Sequence, residues 1–134
     1  MTVGDTNRAA GNKGEAYAAK QLEKEGYTVV CRNYSCHGGE TDIAAVKDGF
    51  IVFAEVKLRK EGSGDVASAA VDPAKIKRML TAARAFLEEY RDNAYISSLT
   101  PRIDVIELYT GQNTVKKYNH IENAAEVSFE GCGE

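Results

Sequence analysis

The sequence has no apolar stretch long enough to span a bilayer, no secretory h-region, no CxxC pair and no excess of basic charge. Without a span or a leader, membrane and secreted classes drop out and a cytoplasmic setting is expected. The cysteines, Cys31, Cys36 and Cys132, are odd in number, which argues against a disulfide framework and for reduced thiols. Cys31, Cys36 and His37 lack a second ligand pair at zinc-finger or ribbon spacing, so Cys31 reads as a small core residue of an apolar strand. The formal net charge of -3 gives the whole molecule no long-range pull on a polyanion. Any nucleic-acid contact must therefore come from a local basic face. Repeats, low-complexity tracts and linkers are missing. So are a Gly-x-Ser-x-Gly turn and a phosphate-cradling glycine-rich helix start, and neither His37 nor His120 has a nucleophile at a diagnostic spacing.

What is present suits one folded unit. With 134 residues, 43% of them hydrophobic and 28% charged, the chain can bury a core without metal or disulfide staples. Residues 1–134 read as one domain, with 1–6 and 128–134 as flexible tails. A helix is expected from near Asn7 or Gly14 to Glu25, stopped by Gly26, with Ala16, Ala19 and Leu22 on its apolar face. Tyr27 to Asn33 reads as a strand and Ser35 to Gly39 as a turn. Glu40 to Val46 and Phe50 to Leu58 form a hairpin around Asp48-Gly49, a strong two-residue turn signal.

Glu61 to Asp72, rich in Gly, Ser and Ala, reads as a mobile loop or a loosely held crossing segment able to close over a substrate. Asp72 then caps a helix with Pro73 at its first position and Ile76, Leu80, Ala83, Leu87 and Tyr90 at helical spacing. Pro101 to Thr110 is a strand, paired through Gly111-Gln112-Asn113 with Val115 to Ile121. The order predicts an α/β fold, a mixed β-sheet flanked by helices.

The hairpin carries the chemistry. A two-residue turn pairs Lys47 with Phe50, Val46 with Ile51 and Ala44 with Phe53; extended further, it sets Asp42 opposite Glu55 and Glu40 opposite Lys57. All four charged side chains then share a sheet face with Ala44, Val46, Ile51 and Phe53, while Ile43, Ala45, Val52, Ala54 and Val56 fill the other. A strand pair buried on both sides that switches to charges at one end is building a cleft or a binding site. The plainer reading is a solvated cross-strand ion network. Facing carboxylates repel unless a proton or cation lies between them, and a hard divalent ion, magnesium or manganese, takes such oxygens together with water and phosphate. Lys57 beside that pair would orient the attacking water and stabilise charge developing on a phosphate.

Several ordered blocks resemble the YraN-like family of predicted endonucleases. They are Gly11-Asn12-Lys13-Gly14-Glu15, Arg32-Asn33-Tyr34, Gly39-Glu40-Thr41-Asp42, Phe53 to Arg59, Val71-Asp72 with Lys75, and Arg102-Ile103-Asp104-Val105. The resemblance implies a restriction-endonuclease-like fold related to archaeal Holliday-junction resolvases. It assigns Asp42 and Glu55 to the metal, Lys57 to catalysis and Glu15 of the first helix as a fourth catalytic position. The implied activity is metal-dependent hydrolysis of nucleic acid, DNA before RNA and branched DNA among the candidates, on a scaffold compatible with a homodimer. Arg32, Arg59, Lys60, Lys75 and Arg78 are the expected phosphate contacts. Two rivals are a noncatalytic nucleic-acid binder on a nuclease fold and a protein-interaction domain. Against the first, a pure binder gains nothing from carboxylates that repel the backbone; for the second, no sequence feature speaks.

Overall fold

A computed structural model of the chain describes residues 3–60, 72–112 and 114–125, with side chains from residue 13 onward. The elements are α1 (Val3–Lys24), β1 (Thr28–Cys36), β2 (Gly39–Lys47), β3 (Phe50–Lys60), α2 (Pro73–Glu89), α3 (Ala94–Ser97), β4 (Thr100–Gly111) and β5 (Thr114–Ile121). Among the described residues the strands form one five-stranded sheet in the order β1-β2-β3-β4-β5. Neighbours run antiparallel except β3 and β4, which are parallel. The exception follows from the connection, since a parallel neighbour needs a long crossover and α2 and α3 lie within it. No helix among these residues is long and apolar enough to cross a membrane.

Local sequence explains the element ends. Gly26 takes a φ of +100° after α1; its N–H donates to the Glu23 carbonyl, and the Tyr27 N–H to the Leu22 carbonyl. This paired pattern closes a helix on a glycine, and Leu22 and Tyr27 pack in one core cluster beneath it. Asp48 and Gly49 both have positive φ, as a two-residue hairpin of matching twist requires. Asp72 accepts the Ala74 N–H at 3.0 Å, capping α2 ahead of Pro73.

Several boundaries differ from expectation. Helix α1 begins at Val3, ahead of Asn7, and the short α3 is an element the pattern did not announce. Strand β1 continues through Cys36, which pairs with Gly39, so the turn narrows to His37-Gly38. The loop expected over Glu61 to Asp72, apart from Asp72 itself, lies outside the described residues, as does the tail from Ser128.

Alternation along the strands sorts the core into two layers. Ile43, Ala45, Val52, Ala54, Ile106 and Leu108 face α1, where Ala18, Ala19 and Leu22 are buried. Ala44, Val46, Ile51, Phe53 and Ile103 face α2, where Met79, Ala83 and Phe86 are buried. The buried stripe of α2, Met79, Ala82, Ala83 and Phe86, shares only Ala83 with the expected one. Ile76 and Leu87 are half-buried, and Tyr90 is exposed with its ring 4.6 Å from that of Phe86. The helix carries apolar residues on more than half of its circumference, so two stripes compete. Contact with β2 selects the one containing Phe86, which meets Phe53 edge to face at 5.6 Å.

Candidate active site

The β2–β3 ladder holds the expected register from Lys47↔Phe50 to Ile43↔Ala54 and stops there. One step further, where Asp42 was expected directly opposite Glu55, side chains take over backbone groups. The Val56 N–H donates to Asp42 Oδ2 at 2.8 Å, and the buried Thr41 hydroxyl donates to the Ala54 carbonyl at 3.2 Å. These bonds satisfy groups that would otherwise be orphaned where the ladder ends. They also fix the Asp42 carboxylate, because one of its oxygens is tied to the neighbouring strand. Asp42, two residues before Ala44, and Glu55, two after Phe53, both continue the α2 face.

Burial raises the proton affinity of both acids. Desolvation is the largest cause at Asp42, only partly offset by the Val56 N–H and Lys75, and the largest at Glu55, partly offset by Lys57 and Lys75. Neighbouring carboxylates add to this, as close acids do: Asp42 pushes up Glu55 and also Glu15, and Glu40 pushes up Asp42. Glu15, the first-helix position expected at the site, feels the Asp42 charge from α1. Its own pKa is raised first by burial and then by Asp42. Among the described residues, Glu55 Oε2 and Glu15 Oε1 are buried without a hydrogen-bond partner. Arg32 Nη2 stands 3.9 Å from Glu15 Oε1, an ion pair too long for a hydrogen bond.

An orphaned carboxylate oxygen beside a second acid that repels it is a donor set suited to a hard cation. The unpartnered Glu55 Oε2 and the Asp42 carboxylate are the groups that would hold it. Among the described residues no three His, Cys, Asp or Glu side chains form a metal-holding group. Magnesium and manganese bind through one or two carboxylates and keep water and substrate oxygens in their shell.

The basic residues divide by partner. Glu40 is bound not by Lys57, as the extended register suggested, but by α2: Lys75 Nζ lies 2.9 Å and Arg78 Nε 3.7 Å from Glu40 Oε1. The ladder ends before Glu40 reaches Lys57, and α2 crosses in its place. Lys75 also lowers the proton affinity of Asp42 and Glu55, so its ammonium serves the whole acidic cluster. Arg59 Nε lies 2.9 Å from Glu107 Oε2. Lys60 is exposed at the end of β3, and Arg32 is exposed beside Glu15.

Glu107 was not anticipated. It is fully buried on the α2 face of β4, beside Lys57 in the parallel ladder, and accepts from Arg59, Asn119 Nδ2 at 3.0 Å and the Tyr109 hydroxyl at 3.4 Å. The signal was available: a charge in the doubly covered strand Ile103-Asp104-Val105-Ile106-Glu107-Leu108 breaks the same rule that singled out Asp42 and Glu55.

Fold and site together define an α/β protein with a mixed sheet whose α2 face ends in a half-buried carboxylate pair, Asp42 and Glu55, attended by Lys57 and Lys75. The chain belongs to the uncharacterised protein family UPF0102, whose profile matches residues 14–108 and so spans α1 from its middle through most of β4. A UPF0102 protein of Geobacter sulfurreducens is 34% identical over 132 residues, 96% of this chain and 100% of that protein. One from Caldanaerobacter subterraneus subsp. tengcongensis is 35% identical over 119 residues, 87% of this chain and 94% of the relative. Another, from Clostridium perfringens (strain SM101), is 40% identical over 103 residues, 76% of this chain and 80% of the relative.

Proposed function

We propose that the protein is a metal-dependent nuclease of restriction-endonuclease-like fold that hydrolyses phosphodiester bonds, with DNA, branched DNA included, as the favoured substrate. The observation that carries the reading is the buried, unpartnered Glu55 Oε2 beside Asp42, with Lys57 two residues along the same strand face. A solvated ion network would leave these oxygens to water or to cations; a cation site keeps them dry and aimed.

The chain's own residues then have distinct tasks. Asp42, held by the Val56 N–H, and Glu55 bind and orient; when present, a divalent ion would lower the pKa of water and neutralise phosphate charge. Lys57 holds a non-bridging phosphate oxygen and stabilises the charge that builds there as water adds to phosphorus. The bond from phosphorus to the leaving sugar oxygen breaks, and that oxygen takes up, by way of solvent, the proton that the attacking water gives up. Glu15 on α1 adds a third carboxylate that interacts electrostatically with Asp42.

The test is a cleavage assay on branched, single-stranded and duplex DNA and on structured RNA, with magnesium or manganese and with chelator. Wild type should cut and chelation should stop it. Lys57→Ala should keep divalent-ion binding by calorimetry yet lose on the order of 10²-fold or more in rate, the scale of removing one charge-stabilising donor. Glu55→Gln should lose both. If nucleic acids bind but are never cut, and Lys57→Ala merely weakens that binding, the protein is a noncatalytic binder.

A further inference from the structure

Lys75 and Arg78 sit three residues apart on α2, a spacing that sends both side chains from one helix face. Both address the same atom, Glu40 Oε1, with Lys75 Nζ at 2.9 Å and Arg78 Nε at 3.7 Å. Their placement is not loose. Gly39 presses its backbone against α2 so closely that a Cβ there would stand 2.6 Å from Ala82 N and 2.8 Å from Arg78 O. The start of β2 and the second and third turns of α2 are therefore in register, and Glu40 follows Gly39 directly.

The partners differ in exposure. The Lys75 side chain keeps 15% of its accessible surface, turned in towards Asp42 and Glu55, whereas Glu40 keeps 52%. An exposed carboxylate thus lies from the solvent side across a cation that belongs to the half-buried acidic cluster. Such a half-exposed ion pair contributes little to stability, so another anion can replace the carboxylate at small cost. A phosphate diester brings the same charge with oxygens that both cations can share, the geometry that favours arginine and lysine at phosphates.

We propose that Lys75 and Arg78 form a phosphodiester-binding site beside the Asp42–Glu55 pair, filled by the Glu40 carboxylate in the free protein and vacated by it when a nucleic-acid strand binds. The inference rests on the nuclease reading in taking the incoming anion to be backbone phosphate. Glu40 then acts as an internal competitor: it keeps the two cations in place and subtracts from substrate affinity. Lys75 acts on both Asp42 and Glu55, so a strand held at Lys75 and Arg78 lies beside the carboxylate pair. Lys75 and Arg78 are positioning residues here, distinct from Lys57, which acts on the reacting phosphate.

The test is a double-mutant cycle read by fluorescence anisotropy, using a labelled single-stranded DNA oligonucleotide in EDTA so that nothing is cut. Glu40→Gln should tighten binding about two- to fivefold, the range set by releasing one half-exposed ion pair. In a Lys75→Met background the same substitution should change affinity little, because the cation it competes for is gone. Simple repulsion between Glu40 and the strand predicts an equal gain in both backgrounds. That result, or no gain from Glu40→Gln in the wild type, overturns the proposal while leaving the nuclease reading intact. If neither wild type nor variants bind this strand, the proposal falls, and the nuclease reading is decided separately by the cleavage assay with metal. Circular dichroism checks each variant, and Arg78→Met replaces Lys75→Met in the cycle should the latter fail to fold.

Discussion

Asp42 does two jobs with two oxygens. Its Oδ2 accepts the Val56 N–H at 2.8 Å and ends the β2–β3 ladder; in the proposed nuclease, Oδ1 is left for the cation. Burial raises the proton affinity of Asp42, Glu55 and Glu15 alike, so the folded state resists their ionisation. A group whose folded pKa is raised adds stability below its unfolded value and loses that contribution as pH rises through the folded value. At neutral pH and without metal, the cluster therefore works against folding. Asp42→Asn should leave the melting temperature in EDTA equal to wild type or higher, since the amide oxygen still accepts from Val56 while the repelling charge is gone. Asp42→Ala should melt lower than Asp42→Asn, because it strands a buried N–H at a cost of about 1–3 kcal/mol. Manganese should raise the melting temperature of wild type but not of Asp42→Asn. Equal manganese shifts in both proteins would remove Asp42 from the ligand set.

At the scale of elements, the contact between β2 and α2 sets the site as much as the hairpin does. A methyl group at Gly39 would meet two backbone atoms of α2, neither of which can swing aside as a side chain would. Gly39→Ala should push α2 outward, cost about 1–3 kcal/mol in urea unfolding and loosen Lys75 and Arg78 from Glu40. Unchanged stability would mean that α2 slides freely on the sheet. How much of this was legible in the sequence depends on range. Asp48-Gly49 admits one kind of turn, so the register near it could be counted, and Gly26, Asp72 and Pro73 mark helix ends by local conformation alone. The register past Ile43 was not legible, because it is ended by bonds from Thr41 and Asp42 side chains to backbone groups, which no periodicity encodes. Nor was the partner of Glu40, which lies 35 residues away on another element. The stripe of α2 that would be buried stayed ambiguous for the reason given by its composition: Met79 and Phe86 compete with Leu80 and Leu87, and only the sheet decides.

Across the whole molecule, a second buried polar cluster on the opposite, α1, side of the sheet balances the acidic site. Asp104, fully buried on β4, accepts from Arg102 Nε and Asn123 N–H on Oδ1 at 2.9 and 3.0 Å, and from Arg102 Nη2 and His120 Nε2 on Oδ2 at 2.8 and 2.6 Å. His120 Nδ1 lies 3.4 Å from Glu25 Oε1 just past α1, and Arg102 Nη2 donates to the Tyr27 hydroxyl at 2.7 Å. The network fastens β5 and the end of α1 to β4. Burial alone would depress the His120 pKa, but Asp104 and then Glu25 outweigh it and hold the imidazolium, so the net shift is upward from 6.5. Burial alone would raise Asp104, but the bonds from His120, Arg102 and Asn123 outweigh it, so the net shift is downward from 3.8. The two titrate as a coupled pair with one stability window. The histidine contribution is complete below its unfolded value and is lost as pH rises through the higher folded one; the aspartate contribution is complete above its unfolded value and is lost as pH falls through the lower folded one. The network is therefore strongest between 3.8 and 6.5 and weakens on the alkaline side first met in ordinary buffers. Urea unfolding should find wild type more stable at about pH 6 than at about pH 8.5. In His120→Gln that part of the difference should vanish, while Asp104→Asn, which leaves Arg102 and His120 without their shared counter-ion, should lose about 3–5 kcal/mol at either pH. The comparison between variants matters because Asp42, Glu55 and Glu15 also lose stability with rising pH, a slope that wild type and His120→Gln share and that cancels between them. Identical pH dependence in these two proteins would show that His120 is neutral in the folded state and that Arg102 alone balances Asp104.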